Sequence, residues 1–470
     1  MDPFEDFPDE LITEQALHVY DLPSIASFCQ VSKRFNRVIC NNEEFWRLKF
    51  RQENGNVMSN YRGSWKKLYQ EYNAVYTFGN NRVGQLGLGD RKNRSTLTKI
   101  EHLKGKFVSC GALHTVIVDP TGDIWVCGSN DSGELGLGDL VERLIPVRIV
   151  GLKAQAVSTG FGRTFIIDFD NNVWSFGDNT YGQLGLGDFV GRSSPTKIPN
   201  IKAKAVSTGM THTNIIDLEG NVWLCGNMIA ANWYDDQLHV QFPNLHDQIA
   251  SQRFEGNVNN AIDMARNMSK FLPFVYQFHT NPFLMQGIKA QSIAAGGEFT
   301  LVIDEYNDVW GIGDGEFLGI NDDQVQFDFK RIPDLKAKAI SASGISTAVI
   351  DLEGNVWTFG QRANISSDSL VPIQILGVKA VKVARSNYYM YVIDKEGNVW
   401  IYGFIARPPP EDVNDIDREG DIYYANTIIH PDHRMTVFDK FTQIPDIKAT
   451  SIACTLGVVV IIGIRPSSIQ

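Results

Sequence analysis

A stretch near the middle of the chain, Val173 to Asp188 (VWSFGDNTYGQLGLGD), returns in recognisable form along most of the sequence. Tyr76, Trp125, Trp174, Trp223, Trp310, Trp357 and Trp400 hold equivalent places in seven copies, and the first four follow one another at intervals of 49 residues. A fixed period of this length means one supersecondary unit used over and over, and it constrains the fold more than any other feature. In every copy the aromatic residue leads through two more residues to a Gly (Gly79, Gly128, Gly177, Gly226, Gly313, Gly360, Gly403).

In the first three copies a Gly-rich loop follows (GQLGLGD, GELGLGD, GQLGLGD), then short runs such as PVRI, AVSTG and TFIID. Four apolar runs per copy, rich in Val, Ile and Trp and bounded by Gly, Pro, Asn or Asp, read as strands. Asp168, Asp217, Asp351 and Asp394 precede FDNN, LEGN, LEGN and KEGN, each leading into Val-Trp. These are tight-turn residues, and the expectation is a hairpin joining consecutive copies. One four-stranded sheet cannot cover its own apolar face, whereas several arranged radially cover one another. The expected fold is therefore mainly β, a seven-bladed β-propeller of four-stranded blades. The Trp residues are expected in its core, each Trp→Ala change costing about 3 to 5 kcal/mol. The copies start and end in phase, so no left-over strand marks where the ring would close.

The repeats occupy residues 75 to about 463 of 470. Nothing approaches the long apolar run of a membrane span, and the acidic start MDPFEDFPDE is unlike a targeting peptide, so an intracellular protein with no membrane partner is expected. The six cysteines lie scattered without a CxxC pair, Cys127 and Cys225 at a position that Phe fills in other copies; neither disulfide nor zinc is expected. A net charge of −11 argues against a surface built to neutralise phosphates, and no nucleic-acid partner is expected.

Ahead of the repeats, Pro8 and the acids after it suit a helix start, and Leu11, Ile12, Ala16, Val19 and Tyr20 recur at helical spacing. Ile25, Phe28 and Cys29 do so after Leu22-Pro23; Ser32 and Asn42 read as caps of the helices carrying Phe35, Val38, Ile39 and then Phe45, Trp46, Leu48. Ser64 reads as the cap of a last amphipathic helix, with Trp65, Leu68, Tyr69 and Tyr72 on one face. The expected domains are a helical bundle at 1–50, a linker helix within 51–74, and the propeller at 75–463. So small a bundle buries too little surface to be comfortable alone and should lean on a neighbour or on another protein.

FPDELI, LPSIASFCQVSKRFNRVI and EEFWRLKF together resemble an F-box, departing at Phe7 where that family usually has Leu. The resemblance implies docking on a Skp-type adaptor linked to a cullin. By matching position it carries Pro8, Leu11, Ile12, Leu22, Pro23, Ile25, Phe28, Val31 and Trp46 into that contact or its support. The repeats resemble those of the regulator of chromosome condensation family. GNNRVGQLGLGD, GSNDSGELGLGD and GDNTYGQLGLGD match its loop, and GALHT and GMTHT its second motif; copies four to seven lose the loop. That resemblance implies a seven-bladed propeller and, by analogy, a small-GTPase regulator (guanine nucleotide exchange) or a chromatin binder. The pairing of the two parts resembles proteins of large amoebal DNA viruses, which would make the adaptor a host protein.

Few features point to chemistry. The repeated GQLGLGD lacks the Lys-Ser/Thr of a phosphate-binding loop and precedes no helix, so Gly at positive φ explains it. His114 and His212 share their repeat position with Arg163 and Phe299 and read as structural. His430 and His433 stand without a second cluster. No catalytic residue, cofactor or metal is expected, and the protein is not expected to be an enzyme.

Breaks in a repeat array often map to a binding face. The distance from Trp to the Ala of the later strand grows from 31 residues in copies two and three to 67 in copy four and 49 in copy seven. Insertions are therefore expected at about 228–287 and 404–438. Trp233, Tyr234, Phe242, Phe274 and Tyr276 in the first, and Tyr423 and Tyr424 after an acidic run in the second, are the target-binding candidates. The favoured function is substrate recognition for a Skp/cullin/F-box ubiquitin ligase, in cytoplasm or nucleus, with the propeller on an unknown target protein. The alternatives are the GTPase or chromatin role and a pure interaction scaffold.

Overall fold

The computed structural model describes residues 4, 7–18, 22–54, 62–228, 277–364, 367–406, 435–455 and 457–466. The chain divides into two units: Met1–Ala74 with Asp446–Lys448 and Gly463–Gln470, and Val75–Pro445 with Ala449–Ile462.

The first unit is helical. Helix α1 (Asp9–His18) starts after Pro8, whose carbonyl accepts the Ile12 N–H at 3.1 Å, and has Asp9 and Glu10 in its first turn, where the helix dipole favours acids. Helix α2 (Leu22–Val31) is followed by Ser32, whose Oγ accepts the Phe35 N–H at 2.9 Å and caps α3 (Lys33–Phe35); α3 widens directly into a π turn, Asn36–Cys40. Asn42 caps α4 (Glu43–Asn54), accepting from the Glu44 N–H at 3.0 Å, and Ser64 caps α5 (Trp65–Glu71), accepting from the Lys67 N–H at 3.2 Å. Their apolar faces meet in one core that includes Ile12, Ala16, Ile25, Phe35, Ile39, Trp46, Phe50, Leu68 and Tyr69. The Trp46 and Tyr69 rings lie 5.1 Å apart and those of Phe50 and Tyr72 4.8 Å apart, so the helix expected as a linker is built into this core.

One expectation fails here. Cys29 and Cys40 are joined as a disulfide with their Cα atoms 6.2 Å apart. Reversal of the chain between α2 and the π turn puts two core-facing cysteines side by side, at a separation that a disulfide spans and that no CxxC spacing announces.

The second unit is mainly β. Around Val173–Asp188, β7 (Ala156–Gly160), β8 (Arg163–Ile167), β9 (Asn172–Gly177) and β10 (Arg192–Thr208) pair in that order, antiparallel throughout, with Ile166 opposite Trp174. Before it lie β1 (Ala74–Gly79), β2 (Arg94–Lys104), β3 (Phe107–Cys110), β4 (His114–Val118), β5 (Asp123–Gly128) and β6 (Arg143–Lys153). After it come β11 (His212–Asp217), β12 (Asn221–Gly226), β13 (His279–Ala295), β14 (Phe299–Asp304), β15 (Asp308–Gly313), β16 (Gln326–Ala342) and β17 (Ser346–Asp351). The last are β18 (Val356–Asn364), β19 (Ser367–Ile375), β20 (Ala380–Arg385), β21 (Tyr389–Asp394), β22 (Asn398–Ala406), β23 (Met435–Cys454) and β24 (Val458–Ile464).

The same four-strand order recurs in β3–β6, β10–β13, β13–β16, β16–β19 and β20–β23. Strand β10 explains how it can. Its first part, Arg192 to Lys202, closes one sheet against β9, and its second, Ala203 to Thr208, opens the next against β11. Strands β13, β16 and β23 are shared in the same way. At each of these corners, and at the matching points in β2, in β6 and after β19, one residue takes positive φ: Asn200 (59°), Gly287 (88°), Asp334 (54°) and Asp446 (53°), with His102 (62°), Gly151 (83°) and Gly377 (116°). Gly, Asn and Asp tolerate that conformation best, which is why they recur there. Val116, Ile124, Val126, Leu135, Ile166 and Phe176, all fully buried, form one of the cores between successive sheets.

Two expectations are corrected. The Asp168–Asn172 hairpin joins consecutive sequence copies as expected, but it lies inside one sheet, between β8 and β9, so a sequence copy is not a sheet; the corner joins sheet to sheet. The sheet is therefore displaced by two strands from the sequence copy. Copy one supplies only β1 and β2, and the C-terminal strands complete that sheet in the order β23-β24-β1-β2. These are the left-over strands that copies read in phase do not reveal. Among the described residues no helix is long and apolar enough to cross a membrane.

Candidate interaction face

The Gly-rich loops of copies one to three are built on one buried asparagine each. Asn179 accepts the Leu184 N–H at 2.9 Å and donates to the Asp188 carbonyl at 2.9 Å; Asn81 and Asn130 do the same for Leu86 with Asp90 and for Leu135 with Asp139. Gly182, Gly185 and Gly187 all have positive φ (77°, 71° and 89°), and their counterparts in the other two loops follow suit. Arg192 pairs with Asp188 at 2.7 Å, Arg143 with Asp139 at 2.6 Å and Arg94 with Asp90 at 2.7 Å. The Arg192 hydrogen bond holds the Asp188 carboxyl below its ordinary range, and Arg94 does so for Asp90.

Each loop leans on the next sheet. Gly89 N–H donates to the Leu144 carbonyl at 2.9 Å, Gly138 N–H to Ser193 at 2.8 Å and Gly187 N–H to Thr280 at 2.8 Å. The tips follow at once: Arg91-Lys92, Leu140-Val141 and Phe189-Val190. Leu140, Val141 and Val190 are 59%, 60% and 62% exposed. Phe278 stacks on Tyr181 at 6.0 Å and meets Phe189 edge-on at 6.2 Å.

Behind the loops, the first residues of β4, β8 and β11 fasten sheet to sheet. His114 Nε2 lies 3.0 Å from Thr164 Oγ1 and His212 Nε2 lies 3.1 Å from Thr300 Oγ1. Between them Arg163, with no exposed surface, donates to the carbonyls of Gly209 (2.8 Å), His212 (2.8 Å) and Met210 (2.9 Å). Burial lowers the His114 pKa to about 4 and that of His212 to about 3, so both imidazoles are neutral at neutral pH and locked to hydroxyls. Burial also lowers Arg163 to about 10, which leaves it cationic. These are the groups of a rigid platform.

Of the residues assigned to the adaptor, Pro8 is exposed, and Leu11 and Phe28 are half-buried. Ile12 and Ile25 (2% each) and Trp46 (3%) are buried in the core of the helical unit. Trp46 donates its indole N–H to the Cys40 carbonyl at 3.2 Å. Leu22 and Pro23 begin α2. Val31 is 63% exposed. Trp233, Tyr234, Phe242, Phe274, Tyr276, Tyr423 and Tyr424 lie outside the described residues, as do His430 and His433. The sequence reasoning missed the carbonyl cage of Arg163 and the apolar loop tips. The tips were there to find, since Leu-Val and Phe-Val replace Arg-Lys directly after GLGD.

The regulator of chromosome condensation (RCC1) repeat matches residues 72–118, 121–167 and 170–216, and a second model of that repeat matches 106–134 and 154–183. No curated protein matches the chain. Among solved structures it is similar to human WBSCR16, at 16% identity over 84% of this chain and 99% of that one, with a TM-score of 0.62. It is similar to Prp20p from Saccharomyces cerevisiae at 15% identity over 86% of this chain and 95% of that one (TM-score 0.61). Yeast RCC1 (Prp20) in complex with Kap60 matches at 16% identity over 86% and 92% (TM-score 0.61). The chain thus carries regulator of chromosome condensation repeats, and its β unit has the fold of these RCC1-like propellers.

Proposed function

We propose that this is a non-catalytic recognition protein in which a seven-bladed propeller presents its Gly-rich loop face to a macromolecular partner. The observation that carries the reading is the loop scaffold itself, repeated intact in three copies above a girdle of buried inter-sheet bonds. The likeness to Prp20p, described together with its binding to Gsp1p and histones, favours a small-GTPase regulator or a chromatin-associated propeller over a ubiquitin-ligase subunit. The protein supplies position rather than bond-making, in cytoplasm or nucleus. The test adds the full chain at sub-stoichiometric amounts to a Ran-like GTPase loaded with fluorescent GDP and, separately, to immobilised histones. Faster nucleotide release or histone retention supports the reading, and failure of both overturns it.

A second reading concerns the helical unit, whose helices begin at the caps read from the sequence and whose outside exposes Phe7 (46%), Val31 (63%) and Leu48 (42%). On this reading it docks on a Skp-type adaptor and through it a cullin, host proteins if the chain is viral, while the propeller holds a target for ubiquitination. The full chain should then retain a Skp-type adaptor in a pull-down and lose it on Leu22→Asp with Pro23→Ala. No retention by the intact chain removes this reading.

A further inference from the structure

We propose that the tips of the first three Gly-rich loops form one docking strip for a partner segment that carries acidic residues ahead of large apolar ones. This deepens the first reading above and rests on the loop face being the binding face.

The repeat supplies its own control. Three loops share one scaffold, which holds the second residue after GLGD by its backbone only, its N–H on the loop Asp and its carbonyl on the Arg, so that Arg-Lys, Leu-Val and Phe-Val all fit the same framework. The fold therefore does not ask for apolar side chains there. Copy one shows that charged ones fit. Leu140, Val141 and Val190 are nevertheless about three-fifths exposed (59%, 60% and 62%), and an exposed apolar cluster marks an interaction site more often than an accident.

Neighbouring loops are also tied to one another. Leu140 and Val141 come directly after Gly138-Asp139, and Gly138 is bonded to Ser193, just beyond Val190 and Gly191. Phe189 in turn meets Phe278, which stacks on Tyr181. At the other end, Arg91 pairs with Glu142, the residue after Val141, so the charged tip of loop one abuts the apolar tip of loop two. Arg82 and Lys92, both exposed, flank the 2.8 Å bond from Asn81 N–H to Asn93 and add to that cationic end. The carboxylates of the loop framework, Asp90, Asp139 and Asp188, are each held by their own arginine and do not cancel it.

A strip that is cationic over copy one and apolar over copies two and three, on a chain of net charge −11, selects a segment with the complementary order. Acids lie over Arg82 and Lys92, and Leu, Phe or Trp lie over the tips of loops two and three.

The test uses the full chain and a fluorescein-labelled synthetic peptide of consecutive Asp and Glu residues followed by Leu, Phe and Trp, read by fluorescence anisotropy. Controls replace its acids by Lys or its apolar residues by Ser. L140R with V141K writes the copy-one residues into loop two, where the scaffold already accepts them, and should weaken binding by about tenfold or more with an unchanged thermal midpoint. Arg82→Glu with Lys92→Glu should weaken it by about tenfold at low salt, the difference fading as salt is added. Equal binding of the Lys-substituted peptide, or unchanged binding by L140R/V141K, overturns the proposal. If histone or GTPase binding survives in L140R/V141K while the peptide fails to bind, the strip falls and the first reading of function stands.

Discussion

Trp174 donates its indole N–H to Oδ2 of Asp168, six residues earlier, at 2.8 Å. The same pair recurs as Trp223 with Asp217, Trp310 with Asp304, Trp357 with Asp351 and Trp400 with Asp394, all at 2.8 Å, and as Trp125 with Asp119 at 3.2 Å. The six tryptophans are half-buried and packed against the cores rather than enclosed in them: each lies beside a hairpin and ties the Asp of its turn to the strand that follows. The fully buried side chains between sheets are mostly Val, Ile, Leu and Phe.

A bond of this kind, neutral donor to carboxylate, is worth about 1.5 to 3 kcal/mol. Trp174→Phe, which keeps most of the contact area, should cost about 1 to 2 kcal/mol in a urea titration. Asp168→Ala should cost more, because Asp168 also accepts the backbone N–H groups of Asp170 (2.9 Å) and Asn172 (2.8 Å).

Acid should weaken the repeat unit in two stages. Burial lowers His114 to about 4 and His212 to about 3, so below the unfolded value of 6.5 the unfolded chain binds protons that the folded chain refuses. Stability then falls by about 1.4 kcal/mol per pH unit for each histidine. The second stage comes from Asp168, Asp217, Asp351 and Asp394. Desolvation pushes these carboxyls up, but hydrogen bonds from the Trp indoles and the turn amides outweigh it and hold them below 3.8. Their contribution is complete above that value and is lost as pH falls beneath it. Urea midpoints at pH 7, 6 and 5 should decline steadily, and His212→Phe, which copies the Phe299 of the next repeat, should halve the slope.

Arg163→Met should be among the costliest single changes, about 3 to 5 kcal/mol, because it leaves three buried carbonyls without their donor. Arg163→His places there the residue that neighbouring copies use and should recover part of the loss. Chemical denaturation of the two variants side by side measures the difference.

Two glycines separate conformational strain from crowding. A Cβ on Gly177 would lie 2.2 Å from the Gly162 carbonyl oxygen at φ +105°, whereas one on Gly151, at φ +83°, meets nothing within 4 Å. Gly151→Ala should cost about 1 kcal/mol from backbone conformation alone. Gly177→Ala should cost several times that, read as a drop in thermal midpoint.

The repeat period, the strand type and the tight Gly-rich loops were legible in the sequence, since each is set by residues near one another in the chain. So were the caps Ser32, Asn42 and Ser64, which accept the backbone N–H groups expected of them. Three things were not. The Trp residues were read as wholly buried because hydrophobicity does not distinguish a side chain enclosed by the core from one packed against it beside a turn. The Cys29–Cys40 pair depends on how two helices cross. Arg163 looked like a departure from a histidine position, and only the turn into β11 and its first residue supply the carbonyls that accept its hydrogen bonds.

The amino-acid sequence alone determined the local unit of this protein: which residues extend, where they turn, and how often the pattern returns. Propensity, turn chemistry and period act over a few residues, and no distant partner is needed to read them. Tertiary structure decided the phase. A sequence copy begins wherever the reader places it, but a sheet begins where the chain takes its corner at positive φ, and that put β23 and β24 beside β1 and β2. It also decided which side chains a loop displays, because burial is a property of what lies opposite, and what lies opposite comes from the next repeat.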